Sequence, residues 1–111
     1  MAYKKHVFPL FLDAATVSTA AAGALAVTTS YHIVDPNASD VAYSVAAGTI
    51  PGQMMVIINT NASNDANITF ASPFNTQADV ISLDGRGEQV TAMWNGSAWV
   101  IISGEKATTA V

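Results

Sequence analysis

Residues 89–103 read QVTAMWNGSAWVIIS, and the fold of the chain turns on how this stretch is paired. Two alternating runs flank Asn95-Gly96, the dipeptide that most readily takes up the positive φ angles of a tight hairpin turn. With Asn95 and Gly96 as the central turn residues, one side of the hairpin carries Val90, Ala92, Trp94, Trp99 and Ile101. The other carries Met93, Ala98, Val100 and Ile102. A four-residue loop over 95–98 pairs Trp94 with Trp99 instead and leaves the same problem: neither side suits water. Antiparallel hairpins usually show water one face, so this one is expected to be covered from both directions, with neighbouring subunits as the cover.

Composition extends the argument. The chain has 111 residues, enough for one domain and one modest core. Half of them are hydrophobic and only 11% are charged, against a usual charged share of about 25%. A lone globule of this mass exposes roughly 5,800 Å², and 4 Lys+Arg with 8 Asp+Glu are all the charge available to cover it. Residues 14–34, 41–64 and 89–104 hold none of it. Long uncharged surfaces are what the centre of a subunit contact needs, so the composition predicts a homo-oligomer.

Several classes of partner and chemistry are disfavoured. The formal net charge is −4, and only Lys4 and Lys5 form a basic pair, which argues against a nucleic-acid partner. There is no cysteine for a disulfide or a thiolate metal site. Residues 1–26 have the outline of a signal peptide, yet the apolar run VFPLFL is short, contains Pro9 and is followed at once by Asp13. No apolar run is long enough to cross a membrane as a helix, so no membrane partner is expected.

Along the chain, residues 1–25 read as an N-terminal arm and connector, 26–104 as a β-domain and 105–111 as a loose tail. The arm carries Val7, Phe8, Leu10, Phe11 and Leu12, a greasy segment expected to dock on another surface. Residues 14–26 suit either one helix capped by Asp13 or an extended connector. Strands are predicted over 26–34, 41–47, 53–59, 67–70 and 80–83, then in the final hairpin. The turns between them contain Pro36, Pro51-Gly52, Pro73 and Gly85-Arg86-Gly87. The run QMMVIIN (53–59) is apolar throughout and reads as a strand buried on both faces. Seven short strands about ten residues apart predict an all-β fold, a small antiparallel β-sandwich or barrel, with no internal repeat.

The run GTIPGQMMVIINTNASNDANITF (48–70), followed by DVISLDGRGEQVTAMWNGSAWVIIS (79–103), resembles a pattern in small structural proteins of tailed bacteriophages. These include capsid decoration (cement) proteins and β-rich fibre modules. The shared pattern is a Pro/Gly-Gln turn before an apolar strand ending in Asn, then an Ile-x-Leu strand, a Gly-rich turn and a Trp-Asn-Gly-x-x-Trp hairpin. The resemblance spans about half the chain and implies a virion component, commonly trimeric and without catalytic residues.

Motifs that carry chemistry are scarce. The chain has no GxSxG elbow, no HExxH and no P-loop. His6 and His32 lie in unrelated segments, so a shared metal site requires the fold to unite them. Asp35, Asn37 and Ser39 open like a calcium loop, but its sixth position is Asp40 and its twelfth Ala46, so a side-chain-bonded proline turn is expected. Asn37, Asn61, Asn67 and Asn95 begin Asn-x-Ser/Thr triplets, expected as turn residues. Arg86-Gly87-Glu88 reads as a solvated turn. Trp94 and Trp99 suit either a sugar-stacking platform or the anchors of a subunit contact, and the aliphatic residues around them favour the second.

The sequence therefore predicts a non-enzymatic β-rich virion protein without cofactor or metal, a trimeric capsid decoration protein on the outer capsid surface. Its partners would be its own copies and the major capsid protein; a receptor- or glycan-binding fibre module is the alternative. Met54, Val56, Ile58, Met93, Trp94, Trp99, Val100 and Ile102 are the expected subunit-contact residues. Val7, Phe8, Leu10, Phe11 and Leu12 are the expected capsid-docking arm.

Overall fold

The computed structural model describes residues 14–15, 22–74, 80–104 and 108–110. The arm residues Val7, Phe8, Leu10, Phe11 and Leu12 lie outside them. The described elements are all β: β1 (Ala14–Ala15), β2 (Gly23–Leu25), β3 (Tyr31–Val34), β4 (Val41–Val45), β5 (Met54–Asn59), β6 (Ala66–Phe70), β7 (Val80–Leu83), β8 (Gln89–Trp94), β9 (Trp99–Gly104) and β10 (Thr108–Ala110). One sheet has the order β3-β5-β8-β9, extended at its edge by the short β1. The other has the order β7-β6-β4-β2, extended at its edge by β10.

Both sheets are mixed, which corrects the antiparallel expectation. The pairs β1/β3, β3/β5, β2/β4 and β4/β6 are parallel, while β5/β8, β8/β9, β6/β7 and β7/β10 are antiparallel. The reason lies in the turns at 35–40, 60–65 and 84–88. Their Pro, Asn and Gly signals mark arches that carry the chain across to the other sheet, not hairpins within one sheet. A strand that returns to its own sheet after visiting the opposite one runs parallel to its predecessor. The sandwich is thus a stack of strand pairs, one strand from each sheet, with β3/β4 directly under β5/β6. Tyr31 pairs with Val56 and Val41 with Ala66, the same offset of 25 residues in both sheets. The stack therefore contains a coil-like repeat that the sequence reading denied.

The core lies between the sheets. Strands β3, β4, β6 and β7 alternate as half-buried sheets require, sending Val34, Tyr43, Val45, Ile68, Phe70, Ile81 and Leu83 inward. Strand β5 alternates as well: Met55, Ile57 and Asn59 are buried, whereas Met54, Val56 and Ile58 are only partly so. Within the single chain, then, β5 is buried on one face only.

The final hairpin uses the four-residue loop, with Trp94 opposite Trp99. The Asn95 side-chain oxygen accepts the N–H groups of Ser97 and Ala98 at 2.9 and 2.8 Å, and Gly96 has φ +104°. Trp99 is wholly buried. Its ring packs edge-on against Trp94 at 5.5 Å and against Phe70 of the other sheet at 5.8 Å, and its indole N–H donates to the Ala46 carbonyl at 2.8 Å.

Gly48 is required where the crossover from β4 to β5 passes Trp94, since a Cβ there would stand 2.4 Å from the indole Cγ. Gly48→Ala is expected to lower the unfolding free energy by about 1–3 kcal/mol through overpacking. Gly23→Ala, which meets nothing within 4 Å, is expected to change it by less than about 0.5 kcal/mol. Urea unfolding followed by tryptophan fluorescence checks both.

Candidate interaction surfaces

The two outer faces of the sandwich differ. Outside the β2/β4/β6/β7 sheet stand Ala24, Ala42, Ser44, Asn67, Thr69, Ser82 and the partly exposed Val80, a mostly small and polar set. The face outside the β3/β5/β8/β9 sheet is mostly apolar and, among the described residues, without charge. Tyr31 pairs with Val56, Ile33 with Ile58, Met54 with Met93 and Met93 with Val100, every one partly exposed. Gln89 and Thr91 are its polar members on β8. Four strands about 4.8 Å apart and roughly 20 Å long make a patch on the order of 400 Å². That is as large as the greatest apolar patch of a typical monomer, which is often functional.

Of the expected contact residues, the structure brings Met54, Val56, Ile58, Met93 and Val100 together on this face. Ile102 lies farther along β9, past the irregularity opposite Thr91/Ala92, and is 53% exposed. Trp94 and Trp99 are corrected: both point into the chain's own core, where Phe70, Ala46 and Gly48 already occupy their surroundings. They are available neither to a second subunit nor as a stacking platform for a sugar. The sequence signal that separates the two sets is strand parity, since only one face of each strand reaches the opposite sheet.

The ends of the sandwich differ too. Asp35, Asp40, Asp65, Asp84, Arg86 and Glu88, all the charged residues described, sit at the end formed by the arches at 35–40, 60–65 and 84–88. Side chains tie these arches into a ladder. The Asn59 amide, fully buried, donates to the carbonyls of Asn64 at 3.1 Å and Leu83 at 2.9 Å, while its oxygen accepts the Asn61 N–H at 2.8 Å. Asn61 donates to the Asp35 carboxylate at 2.9 Å, Asn64 to the Pro36 carbonyl at 2.7 Å, and the Asp65 N–H to the Asp40 carboxylate at 2.8 Å. Glu88 is buried and accepts the Asp84 N–H at 2.6 Å, so the Arg86-Gly87-Glu88 turn is solvated only in part. The Asp35 carboxylate, which opens the calcium-like spacing, serves these arches instead.

Burial, and then the charges of Asp40 and Asp84, raise the Asp65 carboxyl above its ordinary range. Burial, and then Asp35, likewise push the Tyr43 hydroxyl up. Among the described residues no group of three or more His, Asp or Glu is placed to hold a metal. His32 is buried on β3, 2.9 Å from the Ala26 carbonyl, which requires its Nε2 to carry the proton; its Nδ1 has no partner. His6 lies outside the described residues. No protein-family model matches the chain, and a comparison with curated proteins finds no significant relative.

Asp65 binds protons more readily folded than unfolded, so its charge opposes folding at neutral pH and that penalty fades as pH falls through the raised value. Asp65→Asn, which keeps the backbone bond to Asp40, is expected to raise the melting temperature at pH 7. The gain should shrink steadily as the pH falls through the carboxylate range. Thermal unfolding of both proteins across that range is the check.

Proposed function

We infer that this chain is a non-enzymatic assembly protein whose copies join through the apolar outer face of the β3/β5/β8/β9 sheet. The observation that carries this reading is the asymmetry of the sandwich: neither outer face has a charge among the described residues, but one is mostly small and polar and the other is mostly large and apolar. A face depleted of charge and holding Met and Tyr has the composition of an interface centre. Three such sheets turned toward one axis bury all three faces in a prism, the geometry we propose for a trimer. Joined to the resemblance of residues 48–70 and 79–103 to virion proteins, this supports a capsid decoration protein that binds the outer capsid surface through the major capsid protein. Its action would be additive, because a modest contact repeated over many sites holds strongly.

Light scattering is expected to give three times the 11.5 kDa chain mass. Val56→Lys or Met93→Lys should shift the protein toward monomer while changing the melting temperature of the monomer little, because both side chains are already partly exposed. Purified protein should also cosediment with tailed-phage heads lacking it. A wild-type protein that stays monomeric at every concentration overturns the trimer, and one that ignores such heads overturns the virion role.

A further inference from the structure

The tip of the last hairpin holds an arrangement that neither the core nor the sheet faces use. Asn95, Gly96 and Ser97 are exposed. The Asn95 N–H donates to the Ala98 carbonyl at 3.0 Å and closes the turn, while the Asn95 side chain accepts the N–H groups of Ser97 at 2.9 Å and Ala98 at 2.8 Å. Both of these partners are donors, so the atom they hold is the carboxamide oxygen. The carboxamide nitrogen has no hydrogen-bond partner among the described residues, and neither has the Gly96 N–H. In the arches the nitrogen is tied down instead: Asn59 donates to the Leu83 carbonyl, Asn61 to the Asp35 carboxylate and Asn64 to the Pro36 carbonyl. Asn61 makes the sharpest contrast. Its oxygen also accepts two backbone N–H groups, from Ser63 and Asn64, but its nitrogen is held and Ala62 follows it. Of the asparagines in the chain, Asn95 alone is followed by glycine.

We propose that Asn95 is a self-modification site, at which water slowly converts the neutral hairpin tip into an anionic one by deamidation. The Gly96 amide nitrogen gives its proton to hydroxide and adds to the side-chain carbonyl carbon of Asn95, closing a five-membered ring. The negative charge of the adduct falls on the oxygen that the Ser97 and Ala98 N–H groups already hold, the disposition of an oxyanion hole. As the adduct collapses, the bond from that carbon to the carboxamide nitrogen breaks, and the nitrogen leaves as ammonia with a proton from water. Water then opens the ring. Attack at the side-chain carbonyl gives aspartate; attack at the backbone carbonyl gives isoaspartate, whose main chain runs through the former side chain. One water is consumed and one ammonia released, with no change of oxidation state. Glycine leaves its nitrogen open to this approach because it has no Cβ, and it accepts the φ of +104° that the turn imposes. The two products act differently on the hairpin. Aspartate keeps both bonds from Ser97 and Ala98 and strengthens them, since a charged acceptor binds more tightly. Isoaspartate lengthens the main chain directly beside the Trp94/Trp99 pair and disturbs the register of β8 on β9.

Folded full-length protein kept for days in mildly alkaline water enriched in oxygen-18 tests this, with peptide mapping of samples taken along the way. Asn95 is expected to be converted ahead of every other described asparagine, to take up solvent label, and to react faster as the pH is raised, while Asn61 stays intact. Gly96→Ala should slow the conversion several-fold. A Cβ there stands 3.3 Å from the Pro51 ring at a positive φ, so Asn95→Gln, whose side chain would have to close a six-membered ring, serves as a second variant and should slow it as well. Asn95→Asp should melt no lower than the wild type, and the isoaspartyl fraction separated from the incubated wild type should melt below it. Earlier conversion of another described asparagine overturns the proposal, as does an Asn95 that survives in the folded protein while the urea-unfolded chain is converted. An isoaspartyl fraction that melts with the wild type overturns the effect on register. None of these readouts depends on whether the chain is a trimer.

Discussion

The Trp99 indole lies where both sheets and the crossover over 46–53 meet. Its ring touches Trp94 beside it in one sheet and Phe70 in the other, while its N–H satisfies the Ala46 carbonyl at the start of the crossover. Truncating a buried tryptophan removes about 3–5 kcal/mol of packing, and here it would also leave a backbone carbonyl without its donor. Trp94 in turn fixes the crossover, by closing over Gly48 and exchanging backbone bonds with Gly52 and Gln53. The turn over 50–53 is therefore held by the core.

At the other end the same problem has a polar solution. An arch that crosses from sheet to sheet lifts backbone groups out of both ladders, and those groups must find partners. Asn59, Asn61, Asn64, Asp40 and Glu88 provide them, each reaching a neighbouring arch or its own turn. Charge gathers there because carboxylates are good acceptors for free N–H groups and the arches remain open to water. Asp65 shows the drawback: burial first, and then the charges of Asp40 and Asp84, disfavour its ionisation.

Local chemistry made much of this legible beforehand. Alternation located β4 through β9 to within a few residues, and Asn95-Gly96 announced the last hairpin. The partner of each strand was not legible, because Pro36, Asn61 and Gly85 mark a change of direction without saying whether the chain stays in its sheet. One clue lay in plain view: Asn37-Ala38-Ser39 ahead of Asp40 and Asn61-Ala62-Ser63 ahead of Asp65 occupy successive layers of the stack. Read as a repeat and not as turn residues, they point to parallel stacking. For the contact surface, hydrophobicity alone grouped Trp94 with Met93, although adjacent residues on a strand face opposite ways.

That parity also explains how so oily a chain folds without misplacing its surface. With both faces of β5 largely apolar, hydrophobicity alone barely distinguishes its inside from its outside, and a slip of one residue would exchange them. Size resolves the ambiguity. The inner set of the hairpin includes Trp94 and Trp99, which no outer position can cover, and Gly48 leaves the one space that admits the Trp94 ring. Met54, Val56, Ile58 and Met93 then face outward because their neighbours are committed inward. The apolar outer face is thus a consequence of registering a core around two indoles.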